Sequence, residues 1–303
     1  MLLDTKIPAR YLFTHIGPDV VRVLLISVFF QVLKYLFLAY LPRIPLQLPT
    51  LLGSAISLLL AFMLSQSYDR WWEARKIWGA IVNDSRSLVL QLSNFVPEAV
   101  LRREQPDSPL RALAYRQIAW CYSLGQSLRG RDALAGLENY LPPAELAALQ
   151  AHNNKPLALV NLHQAQFKAL YDQQALSDFQ RVQLDATLVR LVDSMGRAER
   201  IKSTVFPVSY RQLVYFFIYL FVTTLSLSLV ETIGLWETPV LLTIATSFLL
   251  LERTAHYLQD PFNDKPTDTP VTAIARTIEI NLKQLLQEPN IPAPMAPTAF
   301  YLM

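Results

Sequence analysis

Residues 46–67 read LQLPTLLGSAISLLLAFMLSQS, a stretch without a charged side chain. As a helix rising 1.5 Å per residue, it is long enough to cross a hydrocarbon core of about 30 Å. Gly53, Ser57 and Ala61 recur along it at four-residue spacing, Ser65 extends the row, and Ser54, Leu58 and Phe62 run beside them. That spacing places each set on one helix face. In lipid, a row of small residues lets helices approach closely, because packing and weak hydrogen bonds must replace the hydrophobic driving force. A small face beside an apolar face suits a helix that packs laterally against copies of itself, with the second stripe toward a symmetry axis. An ordinary helix of a packed bundle carries the same periodicity, so the spacing alone leaves both readings open.

Three further stretches are apolar enough to cross. The first runs from Val20 to Leu41, with Arg22 near one end and Gln31 and Lys34 inside it; another runs from Phe206 to Val230, with Arg211 near its start. The last, Trp236 to Leu251, is short and needs Glu252 to Tyr257 to complete a crossing. Lys34 either snorkels along its own stem or faces a neighbouring helix or water. The whole chain of 303 residues is 52% hydrophobic and 17% charged, a balance that suggests apolar spans attached to a soluble portion. Glycine is scarce, and Leu, Ala, Gln, Arg and Glu are plentiful, which favours helices over sheets. The expected fold class is therefore all-α, with four transmembrane helices and a helical cytoplasmic region. The expected segments are 1–67, 68–205, 206–257 and 258–303.

Charge sets the expected orientation. The link Pro42-Arg43-Ile44-Pro45 holds one positive charge, the link Glu231 to Trp236 holds none, and Arg70, Arg75, Lys76, Arg200 and Lys202 flank the membrane ends. By the positive-inside rule both termini and the middle region face the cytoplasm of a multi-pass protein in the inner (plasma) membrane. Asp4, Lys6 and Arg10 precede a long apolar run that starts late, so no cleavable signal peptide is expected.

The middle region has helical periodicity. Trp71, Trp72, Arg75, Ile77, Trp78, Ile81 and Val82 continue the second span without a breaker, and Pro97, Pro106 and Pro109 then mark a loop. Leu110 to Leu128 forms another helix, and Pro142-Pro143 opens a short one. Leu176 to Ser203 is amphipathic, with Phe179, Val182, Leu184, Leu188, Leu191, Val192 and Met195 as its apolar face. Beyond the fourth span, 260–270 is a loop rich in Pro and Asp, and Thr269-Pro270 caps a helix running to about Gln287. The tail from Glu288 is proline-rich and extended.

Little in the chain speaks for catalysis. His15, His152, His163 and His256 show no metal-ligand spacing; Glu252 and His256 lie four apart at the end of the last span and could meet on one helix face. No Gly-rich phosphate loop, GxSxG or CxxC occurs. Cys121, the only cysteine, lies between Trp120 and Tyr122 and reads as a small core residue. Net charge is only +3 with no block of Lys and Arg, so no nucleic-acid partner is expected, and no cofactor.

Residues 67–78, SYDRWWEARKIW, followed by Asn83-Asp84-Ser85-Arg86, closely resemble the RWWEAR stretch of prokaryotic bestrophins. Glu199-Arg200-Ile201 with Phe206-Pro207 and Tyr210 is similar to that family's entry to its third span. Asp260-Pro261-Phe262 with Asp264 and Asp268 looks like the acidic loop after its fourth. The resemblance implies a homopentameric ion channel in lipid, its second spans lining a narrow apolar neck. Carried over by position from Arg70, the neck rings fall on Ser54, Leu58 and Phe62, and a cytosolic constriction falls on Phe206. Gly53, Ser57 and Ala61 would pack the helices around the pore. An apolar constriction gates by dewetting, and five-fold repetition makes rings from single residues.

Two departures stand out. Ser54 is polar where the family usually has an aliphatic residue. In the acidic loop, DPFNDKPTDTP, Asn263 replaces the usual glycine and Lys265 intrudes among the acids. In calcium-gated relatives this loop supplies oxygen ligands, so Asp260, Asp264 and Asp268 are weak metal candidates. Lys265 is a candidate built-in cation tying the loop together, or simply a solvated lysine. The permeant species implied are small monovalent ions. Resemblance to prokaryotic members and the absence of a charged ring in 46–67 lean toward cations. The competing class is a non-conducting membrane scaffold whose cytoplasmic helices dock another transporter or enzyme.

Overall fold

The computed structural model describes residues 1–2, 8–37, 44–101, 105, 107–204, 206–297 and 300–302. Asp4, Lys6, residues 38–41 at the end of the first expected span, Pro42, Arg43, Pro106 and the boundary residue 205 lie outside them. Ten α-helices form among the described residues: α1 (Ala9–Phe37), α2 (Gln47–Phe95), α3 (Glu98–Leu101), α4 (Pro109–Leu128), α5 (Pro143–Gln150), α6 (Lys155–Asp172), α7 (Asp178–Ser203), α8 (Val208–Ile233), α9 (Glu237–Gln259) and α10 (Val271–Leu285). No strand appears among them; one isolated bridge pairs Leu2 with Tyr301. The stretches Thr14–Phe37, 208–230 and 234–259, and part of α2, are long and apolar enough to cross a membrane.

The chain forms two compact units, one of Asp4–Trp71 with Val205–Asp260, the other of Met1–Leu3, Trp72–Thr204 and Pro261–Met303. The divisions fall at 71/72, 204/205 and 260/261, against expected segment ends at 67, 205 and 257.

In the first unit, α1, α8 and α9 pack on one another, and α2 lays Ile56, Leu60 and Met63 against Val214, Ile218 and Phe221 of α8. α9 runs on to Gln259, which supplies the length the short fourth span needed. Gly234, at φ 59°, makes the turn between α8 and α9 that an L side chain would resist. The buried polar centre of this unit is Glu237, at the start of α9. Its carboxylate accepts from Ser27 Oγ at 3.0 and 3.1 Å, Gln31 Nε2 at 2.8 Å and Ser226 Oγ at 2.6 Å. Donors from two other helices thus converge on one acid. The sequence reading, which began the fourth span at Trp236, gave Glu237 no role.

The second unit holds its own core. Trp78, Leu88 and Leu92 of α2, Ile118, Trp120 and Leu124 of α4, and Phe167 of α6 are buried there. Val271 lies so close to Gly125 that a Cβ there would come within 3.3 Å, so α10 approaches α4 closely. α7 starts with a capping box: Ser177 Oγ accepts from Gln180 N, and Gln180 Oε1 accepts from Ser177 N. α7 buries Leu184, Leu188, Leu191, Met195 and Ala198, but Phe179 is 89% and Val182 67% exposed, contrary to the expected face. At about 100° per residue, both point well over 90° away from Leu184. α6 was missed by the sequence reading, although Asn154 caps it through Leu157 N and Pro156 sits in its first turn. α10 begins after Pro270 with no side-chain cap, so Thr269 is not the cap expected; its amide instead donates to Pro261 O at 3.1 Å.

Removing the Glu237 acceptor strands its donors in a medium without water. Glu237→Ala is expected to lower unfolding free energy in detergent by about 2 kcal/mol, and Glu237→Gln by clearly less, because the amide still accepts. Thermal melts of both variants beside the wild type check this, and equal melting temperatures would remove Glu237 from the centre of the bundle.

Candidate functional site

Among the described residues, the face of α2 opposite Ile56, Leu60 and Met63 is exposed. Ser54, Ser57, Leu58, Ala61 and Phe62 are all exposed, Leu58 by 73% and Phe62 by 54%. Ser54 Oγ donates to Thr50 O at 3.0 Å and Ser57 Oγ to Gly53 O at 2.8 Å, which satisfies each hydroxyl hydrogen along the helix and leaves oxygen lone pairs outward. Gly53 behaves differently from the rest of its row. A Cβ there would stand 3.2 Å from Phe221 Cε2, so this glycine serves a close approach of α2 to α8 within the chain. A four-residue row drifts by about 40° per step on a straight helix, which carries Ser57 and Ala61 off that contact and onto the uncovered side.

Phe62 and Phe206, separate levels in the sequence reading, share one aromatic group. Tyr210 lies 6.0 Å from Phe62 and 5.6 Å from Phe206, edge-on to the latter, and its hydroxyl donates to Leu59 O at 3.0 Å. These rings line a cavity of about 590 Å³ together with Gln66 and Leu213. Phe206 is half-buried, packed against the core of its unit. Arg70 of the RWWEAR stretch donates through Nε to Gln259 O at 2.9 Å, fastening α2 to the end of α9.

The acidic loop is held by guanidinium groups. Asp264 pairs with Arg131 and lies 3.5 Å from Arg129 Nε, and Arg129 Nη1 donates to Thr272 Oγ1 at 2.5 Å. Burial and the neighbouring Arg131 pull the Arg129 pKa down to about 10, with Asp268 acting against them, so the group remains a cation at neutral pH. Asp268 is fully buried, its Oδ2 accepting from Lys265 N at 3.1 Å. Cations from the end of α4 thus engage the loop at Asp264, beside the Lys265 that the sequence reading offered for this role. The sharp turn needs no glycine either: Asp264 adopts φ 64°, a conformation Asp tolerates better than most residues. Asp260 belongs to the other unit.

The remaining candidates resolve into packing. Glu252 accepts from Tyr215 at 2.7 Å and His256 Nδ1 lies 3.3 Å from Arg211 Nη1, so each has its own partner on α8. Among the described residues no group of three or more His, Cys, Asp or Glu is placed to hold a metal. His163 is buried on α6, and burial with Arg116 nearby drives its pKa well below the ordinary value, leaving the ring neutral. Burial pushes the Cys121 thiol up to about 12, beside Ser85 and Gln117, as a core residue would be.

Helices long and apolar enough to cross a membrane, among the described residues, place the protein in the class of helical membrane proteins. The sequence profile described as Bacterial/Fungal Bestrophin protein matches residues 9–284, and the chain belongs to the bestrophin family. It is 31% identical over 261 residues to a voltage-dependent anion channel-forming protein of Nostoc sp., covering 84% of this chain and 83% of that one. A protein of the same description from Escherichia coli K12 is 30% identical over 253 residues, covering 83% and 80%. The crystal structure of a bacterial bestrophin homologue from Klebsiella pneumoniae superposes with a TM-score of 0.83 at 28% identity, over 89% of this chain and 98% of that one. Family membership points to an ion channel and away from an enzyme.

With cationic side chains already neutralising the loop, calorimetric titration of the purified protein should show no saturable calcium binding in the micromolar range that serves calcium sensors. Saturable binding that disappears in Asp264→Ala would contradict the guanidinium assignment.

Proposed function

We propose that the chain forms a pentameric channel for small monovalent ions in the cytoplasmic (plasma) membrane, with α2 lining the pore and both termini in the cytoplasm. The observation that carries the reading is the uncovered face of α2: Ser54, Leu58 and Phe62 exposed along a helix whose other face is buried. Exposed apolar residues facing lipid would need no such ordered row beside small residues, and a scaffold has no use for a charge-free lining. Successive copies of α2 would bring Leu58 and Phe62 together as apolar rings about 6 Å apart along the axis. Such a neck gives water few partners and sets the barrier to ions. At Ser54, one turn outward, hydroxyl lone pairs hold water even when the neck is shut, so the dry length is short. Phe206 would narrow the cytosolic side, and its contact with Tyr210 makes it a neighbour of the Phe62 ring.

On ion preference two considerations oppose each other. Resemblance to prokaryotic members and the lack of a charged ring lean toward cations, while the curated relatives carry the description anion channel-forming. The reversal potential of the purified protein in a planar bilayer under a potassium chloride gradient decides between them, and absence of any current would return the scaffold reading.

In the same recordings, Ser54→Ile should lower current by adding a third apolar ring, and Leu58→Ala with Phe62→Ala should leave the channel open. Phe206→Ala should raise conductance. If Ser54→Ile leaves conductance unchanged and the double variant gives less protein without more current, α2 does not line the pore.

Assembly has its own test, and it requires Ala61. Gly53→Leu would strike Phe221 whatever the oligomer, whereas Ala61→Phe adds bulk only on the uncovered side. Light scattering in detergent should show the Ala61→Phe oligomer broken. An intact oligomer would place the small face elsewhere.

A further inference from the structure

Arg22 sits where a charge is costly and is not hidden. It lies within the apolar stretch Thr14–Phe37, about 12 Å along the helix axis from Thr14. Its side chain is 61% exposed, and Val21, Leu25, Val28, Phe29, Val32 and Leu36 around and beyond it are exposed as well. Leu25, Phe29, Val32 and Leu36 follow Arg22 at three- and four-residue steps, so they form one continuous apolar track toward the far end of α1.

Behind Arg22 the charge is only partly balanced. Asp19, nearly buried, accepts from Arg22 Nη1 at 2.9 Å and from Arg253 Nη2 at 2.6 Å, with the Tyr219 hydroxyl beside Arg22. Asp19 serves both Arg22 and Arg253, and Glu252 lies within electrostatic reach of Arg253 and Arg211, so three guanidiniums face two carboxylates and one positive charge is in surplus. Arg22 is the more exposed of the Asp19 pair, 61% against 28%. A flexible arginine at this depth reaches the level of lipid headgroups while its stem stays in hydrocarbon. Its planar fork matches the oxygens of a phosphate.

We propose that Arg22 and the exposed face of α1 form a binding site for a phospholipid with an anionic headgroup. The phosphate sits on the guanidinium and an acyl chain lies along Leu25, Phe29, Val32 and Leu36. Charge surplus selects the lipid: a zwitterionic headgroup brings its own cation to the phosphate and leaves the excess at Arg22 uncompensated. Free phosphate has the same oxygens but lacks the chain for which the apolar track is shaped. The inference rests on the membrane reading and is independent of whether the protein conducts.

The test is native mass spectrometry of the full-length protein in detergent with equimolar phosphatidylglycerol and phosphatidylcholine of identical chains. Phosphatidylglycerol should be retained over phosphatidylcholine by about five-fold, the weight of one basic residue at an anionic surface. Arg22→Gln should erase the preference and Arg22→Lys should keep part of it, whereas Leu25→Ala, on the acyl track, should weaken retention of both lipids alike. Equal retention of both lipids by the wild type, or an undiminished preference in Arg22→Gln, overturns the proposal. So does displacement of phosphatidylglycerol by inorganic phosphate, which would make the site one for free anions. Disulfide cross-linking between copies of Leu25→Cys would likewise show that a second copy covers this face.

Discussion

Hydrocarbon offers no partner to a backbone amide or carbonyl, and the architecture of the first unit follows from that constraint. Each segment there must satisfy its own main chain, so helices are forced. Apolar side chains lose the reward they would gain by leaving water, so contact between these helices rests on close approach and buried hydrogen bonds. Gly53 against Phe221 supplies the first. Glu237, reached by Ser27, Gln31 and Ser226, supplies the second. Between them these contacts commit one face of α2 and parts of three other helices, and Ser57, Leu58, Ala61 and Phe62 remain exposed on α2.

How much of this the sequence disclosed depends on the kind of signal. Long apolar runs are written in consecutive residues, so the long apolar helices were legible, and RWWEAR pointed to the family. Amphipathic faces were legible only in outline. Phe179 and Val182 have the composition of a core stripe, yet the capping box at Ser177 sets the start of α7 and the register turns both outward. Glu237 could not be weighed from its neighbours in the chain, because two of its donors, Ser27 and Gln31, lie more than two hundred positions away. The same holds for Arg129, whose meaning depends on Asp264 and Thr272. Small-residue periodicity was ambiguous for a physical reason: the drift of a four-residue row lets one row serve two neighbours, α8 at Gly53 and open space at Ala61.

The acidic loop illustrates how charge type alters what a site can do. A divalent ion is exchangeable and senses its own concentration; a guanidinium on a helix end is tethered and cannot leave. Arg129 and Arg131 are engaged at Asp264, and Asp268 is buried on the Lys265 amide. A buried arginine costs desolvation, visible in the lowered pKa of Arg129, and the carboxylates around it offset that cost.

The hydroxyl of Tyr210 on the Leu59 carbonyl has a mechanical consequence. As part of a continuous helix, that carbonyl already accepts from the amide four residues on, so the phenol occupies its second lone pair. Side chains that merely interdigitate can slide by small rotamer changes, whereas a bond to the main chain transmits displacement with little slack. The joint between α8 and α2 is in this sense pinned, and it is pinned between the levels of Leu58 and Phe62. A shift of α8 along its axis is delivered as torque to that short stretch of α2, with the ring of Tyr210 as the lever arm.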